Sequence, residues 1–240
     1  MTDRTRTTDD PADDSSAQLV RLLAGVAPAS TDPSRRALVD AARIERFGRG
    51  EVLIPQGGHE EVGLIIDGFV AARRTTPDGR VVVPMVLGSG NFVSPGGLAG
   101  PESPYDFVAL VPGSAARWTA SIVRSLAAND AGLALGMLDA ALYRFAELTA
   151  QLDSMHYQDA RRRVARVLLR YRDLCFGERP AVPRTDLALL VGTSREMTRR
   201  VLSRLVADGM IERLGRGGLR LRDADQLDEL AGSWTPSTTA

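Results

Sequence analysis

In the segment 184–205, RTDLALLVGTSREMTRRVLSRL, three arginines and a glutamate recur at helical spacing: Arg195, Glu196, Arg199 and Arg200. Arg199 falls one turn beyond Arg195, with Arg200 beside it, so the four can share one exposed helix side. Inserted amino end first into a major groove, such a face can read base edges. Arginine donates two parallel bonds to guanine O6 and N7, and glutamate accepts from cytosine N4. Thr193 and Ser194, with the free amides of that helix start, suit phosphates, which fix register and not sequence. A merely solvated charged face is the plain alternative, and a lone basic helix would not decide against it.

The flanking residues supply what would position such a helix. Thr185 can cap a first helix running through Asp186 to Val191, and Asp186 places a carboxylate at its positive end. Gly192 can take the left-handed conformation that ends it. Thr193, followed three residues later by Glu196, predicts a capping box opening the second helix. Leu187, Val191, Val201, Leu202 and Leu205 form a shared apolar side, and small Ala188 permits close approach. Two short helices around a glycine turn fit a helix-turn-helix. Beyond it, 210–214 and 219–222 read as two strands joined through glycines. They form a wing that can place Arg213, Arg216 or Arg220 on phosphates.

The zero net charge conceals an asymmetry that agrees with this reading. Residues 156–222 hold 16 arginines against 7 acids, whereas residues 1–155 hold 14 against 19. A basic segment in a neutral chain is an electrostatic footprint for nucleic acid. Cys175 is alone, which excludes an intrachain disulfide and a cysteine-ligated cluster. His59 and His156 lie far apart without metal-ligand spacing, so no metal and no catalytic group is expected. Residues 1–17 are polar, cannot repay their ordering entropy and read as a disordered arm. They also lack the apolar stretch of a signal peptide. No run reaches a membrane span, and the expected location is cytoplasmic.

Upstream of the basic segment, Ala134, Leu138, Ala141, Phe145, Leu148, Leu152 and Met155 recur at alternating spacings of four and three. This heptad stripe predicts a parallel dimer seam over residues 131–157; a helix packed on its own chain is the alternative. A second helix, 159–172, carries the arginines that crowd its outer side. From about residue 43 to residue 118, β-branched runs of four to six residues are broken by glycine turns, among them Pro77-Asp78-Gly79. Strands of this number and spacing predict a jelly roll or small barrel, led in by a short helix at 38–43.

From about Arg43 to Arg222 the chain resembles the Crp/Fnr superfamily of transcription regulators. The likeness rests on RGEVLIPQGG, GLIIDGFV and GSGNF, with glycines at 50, 57, 68 and 90, and on LVGTSREMTRRVL. The resemblance implies an α+β fold: a cyclic-nucleotide-binding-like β-barrel (jelly roll) over 18–130, a long dimerisation helix over 131–157, and a winged helix-turn-helix over 158–222. An acidic, polar tail follows over 223–240. By position, Arg195, Glu196 and Arg200 match residues that read a TGTGA-type half-site. Thr185 and Ser194 match phosphate contacts, with Arg199 auxiliary. Met197, Thr198 and Arg199 depart from the usual small or aliphatic residues. The implied partners are a second copy of the chain, two-fold symmetric double-stranded DNA and RNA polymerase.

The sensor half departs further. Ser94 and Pro95 stand where nucleotide-binding relatives carry Gly-Glu for the ribose, and Tyr105 and Asp106 where they carry Arg-Ser or Arg-Thr for the cyclic phosphate. Neither Arg nor Lys occurs between Arg80 and Arg117. A phosphate buried there would lose water without gaining a paired charge. Cyclic AMP control in the usual mode is therefore not expected. No cofactor is implied, and an unidentified effector, a partner protein and a pure scaffold all stay open. Two other readings remain: a nonspecific architectural DNA protein, and a cupin-like enzyme fused to a DNA-binding domain.

Overall fold

The computed structural model describes residues 11–58, 61–79, 81–100, 102–157, 159–182, 184–215 and 217–232, without the side chains of 11–14, 154–157, 184 and 185. His59 and Arg216, and the side chains of Met155, His156 and Thr185, thus lie outside the described residues. Two compact units result: Met1–Val70 with Leu87–Ala141, and Ala71–Val86 with Leu142–Ala240.

The first unit opens with α1 (Pro11–Val26), which starts inside the stretch expected to be a disordered arm. Its anchor lies further on, where Leu19 and Leu23 are buried and Gln18 Nε2 donates to the Ile66 carbonyl at 3.0 Å. Once that turn is fixed, each preceding residue adds a backbone bond at little extra cost, and Pro11 suits a first helical position. The lead-in helix α2 spans Asp32–Asp40, earlier than expected, because Thr31 accepts from the Ser34 amide and starts it there. Arg43 already belongs to β1 (Arg43–Phe47), which pairs antiparallel with β8 (Gly113–Thr119).

Between them run β2 (Val52–Ile54), β3 (Glu61–Asp67), β4 (Val70–Thr75), β5 (Val81–Leu87), β6 (Phe92–Val93) and β7 (Asp106–Ala109). The expected barrel does not form. These strands make two separate four-stranded sheets, ordered β1-β8-β3-β6 and β2-β7-β4-β5, and neither closes. Closure requires every strand to pair continuously on both sides. Here β6 has two residues and β2 has three, and both β2–β7 and β3–β8 slip register. Pro84, which cannot donate to a ladder, lies in the edge strand β5. The glycine-punctuated alternation seen in sequence is the same for open and closed sheets.

After α3 (Ala120–Asn129) comes α4 (Ala131–Tyr157), one uninterrupted helix of 27 residues that carries the heptad stripe. A Cβ on Gly136 would stand 2.5 Å from the Ala27 Cα, and one on Gly132 1.9 Å from the Ala29 carbonyl oxygen. Both glycines are thus required where the end of α1 crosses α4. Asp130 organises the same corner. Its carboxylate accepts from the Leu133 amide at the start of α4 (3.0 Å) and from the Thr31 amide and hydroxyl (2.8 and 2.7 Å).

Besides residues 71–86 of β4 and β5 and the part of α4 from Leu142, the second unit contains α5 (Ala160–Arg170), α6 (Arg172–Cys175), α7 (Arg184–Val191), α8 (Arg195–Ala207), the pair β9 (Ile211–Leu214) and β10 (Gly218–Leu221), and α9 (Ala224–Ala231). The last helix lies in the stretch read as a polar tail. Asp223 caps it by accepting from the Gln226 amide, and Leu227 is fully buried.

Bonds from Ser34, then from the Thr31 amide and hydroxyl, hold the Asp130 carboxyl well below the ordinary aspartate value of 3.8. The folded state therefore favours the charged form. That stabilisation is complete above the unfolded value and is lost as pH falls through and below it. Asp130→Asn should lower stability at neutral pH and flatten the acid limb of the stability curve below about pH 4. Urea denaturation across pH measures both; an unchanged acid limb would count against this role.

Candidate nucleic-acid interface

The helix pair α7–α8 is built around buried apolar side chains: Leu187, Ala188 and Val191 on α7, and Val201, Leu202 and Leu205 on α8. The turn between them is Gly192-Thr193-Ser194, with Gly192 at φ 67° as expected of a left-handed stop. The cap of α8 differs from the expected one. Ser194, not Thr193, is the N-cap, and its hydroxyl accepts from the Met197 amide at 3.1 Å. Thr193 instead donates its amide to the Ala188 carbonyl at 3.1 Å and continues the turn. The two hydroxyl residues are adjacent, so the sequence offered two registers one residue apart, and Gly192 followed by one linking residue selects the later.

Arg195, Glu196, Arg199 and Arg200 are all exposed on the outer face of α8. Arg200 pairs with Glu196 at 2.9 Å. Among the described residues no carboxylate lies within ion-pair distance of Arg195 or Arg199. On the same face, Ser203 accepts from Arg213 Nη2 of β9 at 2.7 Å, which ties the wing to the helix. Arg220 on β10 reaches Glu212 at 3.4 Å, and Arg222 reaches the same carboxylate at 2.6 Å. The sequence-predicted residues on α8 and Arg213 are therefore brought together, while Arg220 is partly neutralised. Ser203 was not foreseen, since a lone serine on a helix carries no signal until its wing partner is known.

Other arginines of this unit brace the frame. Arg161 of α5 pairs with Asp208 at the end of α8 at 2.6 Å, and Arg163 Nε donates to the Val191 carbonyl at 3.2 Å. Arg73 pairs with Asp186 in the first turn of α7 at 2.9 Å. Glu147 of α4, 7% exposed, is held between Arg144 and Arg170. Arg166 donates to the Ala231 carbonyl, and burial pulls its pKa down. Cys175 is buried and burial pushes its thiol up to about 12, so it is chemically quiet.

On α4, Leu138, Ala141, Phe145 and Leu152 are exposed, with Phe145 at 68%; Leu148 is half-buried. Leu135 and Leu142, outside the expected set, are also exposed, each at 55%. With Leu138, Phe145 and Leu152 they make a second heptad phase that is richer in leucine.

In the other unit, Ser94 is buried at φ 52°, and Pro95 opens a 3-10 turn, Pro95–Ala99. Asp106 accepts from the Gln56 amide at 2.8 Å, and the Tyr105 ring meets Phe107 edge-on. Arg124 of α3 reaches the turn, but its guanidinium donates to the Leu98 carbonyl. The cassette thus presents a carboxylate already bonded to backbone, and its residues do not fit a cyclic phosphate. Among the described residues, no group of three His, Cys, Asp or Glu could hold a metal ion, and no helix is long and apolar enough to cross a membrane.

Residues 162–230 match the family of Crp-like helix-turn-helix domains, and residues 44–130 match the cyclic nucleotide-binding domain family. The chain belongs to the Crp/Fnr superfamily of transcription regulators. A cyclic AMP receptor protein of Thermus thermophilus is 39% identical over 88 residues, which are 37% of this chain and 40% of the relative's length. FixK2 from Bradyrhizobium japonicum superposes with a TM-score of 0.70 at 21% identity, covering 81% of this chain and 99% of that one. The c-di-GMP-responsive global regulator CLP of Xanthomonas campestris gives 0.65 at 24%, covering 80% and 99%. At these identities the two structures establish a shared Crp/Fnr fold and nothing finer.

The revised cap makes a direct prediction. Ser194→Ala should destabilise the second unit by about 1 kcal/mol, as loss of a cap acceptor does, and Thr193→Ala by clearly less. Amide exchange at Met197 and urea denaturation report this; the reverse order would restore Thr193 as the cap.

Proposed function

We propose that this member of the superfamily is a homodimeric, sequence-specific DNA-binding regulator that works without cyclic AMP. The observation that carries the reading is the outer face of α8, where Arg195 and Arg199 stand exposed, without carboxylate partners among the described residues, beside the Glu196–Arg200 pair. Arg195, Glu196 and Arg200 read the base edges of a TGTGA-type half-site. Ser194, Thr193 and Thr185, with Arg213, Arg216 and Arg220 of the wing, hold phosphates. Two copies joined along α4 present two recognition helices to a two-fold site about one helical turn apart. In this reading the chain works as a sensor unit, a dimer helix and a winged helix-turn-helix. Such a protein acts in the cytoplasm, alongside RNA polymerase.

Two observations support the dimer and the loss of nucleotide control. The apolar stripe on α4 is exposed at Leu138, Phe145 and Leu152, which a helix fully packed on its own chain would cover. The cassette engages Asp106 with Gln56 and holds no Arg or Lys between Arg80 and Arg117. The curated relative is named for binding cyclic AMP, so its 88-residue likeness makes the nucleotide test the sharp one.

Nucleotide-free protein should bind a two-fold TGTGA-type duplex at least about 10³-fold more tightly than a scrambled duplex at equal salt, unchanged by added cyclic AMP. Rescue of weak binding by cyclic AMP would overturn the cassette reading, and equal affinity for both duplexes would favour an architectural protein. Phe145→Asp should shift sedimentation from dimer to monomer, since a charge in a desolvated seam has no partner. An intact dimer would remove α4 as the seam.

A further inference from the structure

We propose that a cleft walled by α4, α5, the end of α7 and Pro84 is an effector site for a small organic acid, sharing no residue with the Ser94–Asp106 cassette. Its effect on DNA rests on the reading of α8 given above; its binding of the acid does not.

The cleft originates in the pattern of α5. At about 100° per residue, Val164, Ala165 and Leu168 fall on one side of the helix, and all three are fully buried. Arg163, Arg166, Val167 and Arg170 fall within about 100° of arc on the opposite side. On a surface helix that side is left to solvent. Here it is covered: Glu147 and Ala150 of α4, Leu190 and Val191 at the end of α7, and Pro84 of β5 line one cleft with it. Tyr171 completes the wall, and its hydroxyl accepts from the Val86 amide at 3.4 Å. All of these residues belong to the second unit. With its open mouth included, the cleft holds about 540 Å³, which limits an occupant to small-molecule size.

The lining carries more positive charge than it neutralises. Three guanidinium groups line the cleft against one carboxylate. That carboxylate, Glu147, is buried and already bonded by Arg144 and Arg170. Arg163 Nε donates to the Val191 carbonyl, and Arg166 donates to the Ala231 carbonyl at 3.1 Å. Among the described residues no carboxylate lies within ion-pair distance of Arg166. Burial lowers its pKa, yet a guanidinium stays protonated in proteins. A carbonyl dipole does not neutralise a charge that has lost part of its water, whereas an anion does. The remaining wall, from Pro84, Val167, Tyr171, Leu190 and Val191, is apolar and suits a hydrocarbon body. A mostly apolar cleft with a few charged groups is the composition of a small-molecule site. The guanidinium fork matches a carboxylate headgroup. A phosphate dianion would meet about twice the repulsion from Glu147.

The position of the cleft gives such an acid a route to DNA. Leu190 and Val191 end α7, and Gly192 turns directly toward α8. Arg163 already ties Val191 to α5. An acid held by Arg166 against the last turn of α7 joins α4 and α5 to the helix-turn-helix. It changes DNA affinity by the difference in its own affinity for the free and DNA-bound forms.

The test uses the full-length protein with benzoate and hexanoate as probes and benzamide as the neutral control, at constant ionic strength. Either acid should shift the amide resonances of Val167, Leu190 and Val191 saturably, and benzamide should not. Inorganic phosphate should bind more weakly than either acid; the reverse order would overturn the carboxylate assignment. Arg166→Gln should weaken acid binding by about 10- to 100-fold, the loss of one charge-assisted contact. Because Arg166 also braces Ala231, a second variant, Ala150→Phe, fills the cleft from α4 without changing charge and should abolish the shifts. Saturating acid should change affinity for the two-fold TGTGA-type duplex by at least about 5-fold. Absence of saturable shifts from both acids, or equal shifts from benzamide, would overturn the site. Binding that leaves DNA affinity unchanged would overturn its effector role. An equal loss on TGTGA-type and scrambled duplexes would make the cleft a contact for DNA phosphate and overturn that role as well. Failure of wild-type protein to prefer the TGTGA-type duplex would instead remove the reading of α8, while the amide shifts still decide whether the acid binds.

Discussion

A helix can offer arginines to DNA only when its opposite face is fixed, and the second unit is organised by that requirement. Leu205 is fully buried, Leu202 and Val201 nearly so, and they meet the buried Leu187 and Val191 of α7. Val164 and Leu168 of α5 and Leu227 of α9 are fully buried in the same unit. Burying side chains of this size stabilises by about 1.5–3 kcal/mol each, far more than the surface ion pairs around them. The apolar contacts therefore set the orientation of α8, and its charged face is what remains outside.

Arginine serves two purposes in this unit, and only geometry separates them. Arg161, Arg163 and Arg170 are engaged by a carboxylate or a helix-end carbonyl and brace the frame. The Glu147 carboxylate, nearly buried, would be costly alone, and the guanidinium groups of Arg144 and Arg170 on either side compensate it. Arg195 and Arg199 face outward instead. A count of positive charge over 156–222 overstates what DNA meets, because part of that charge is already neutralised within the fold.

Much of this was legible in the sequence because it follows from local chemistry. Gly192 must turn left-handed, the apolar spacing of 187–205 defines two helix faces, and Pro77-Asp78-Gly79 turns a hairpin with Gly79 at φ 78°. What was not legible turned on choices that the sequence pattern alone leaves open. The cap at Ser194 and the expected one at Thr193 differ by one residue and share a chemistry. Helix α9 was hidden because Asp223, Asp225, Asp228 and Glu229 outweigh the stripe through Leu227 and Ala231. Sheet closure was misjudged because strand alternation records which face is buried and not whether the last strand meets the first. In α4 the expected stripe mixed exposed Phe145 with half-buried Leu148, since two overlapping heptad phases run through the same residues.

That overlap bears on how a dimer would read DNA. The phase through Leu135, Leu138, Leu142, Phe145 and Leu152 places large side chains where the other places Ala134 and Ala141. Both phases share Leu138, Phe145 and Leu152, so in the proposed dimer a small rotation of α4 would exchange leucine for alanine at the seam without unzipping it. The cassette lacks the guanidinium that would engage a cyclic phosphate. In the proposed dimer, a ligand could act on the seam only through its difference in affinity for the two α4 phases.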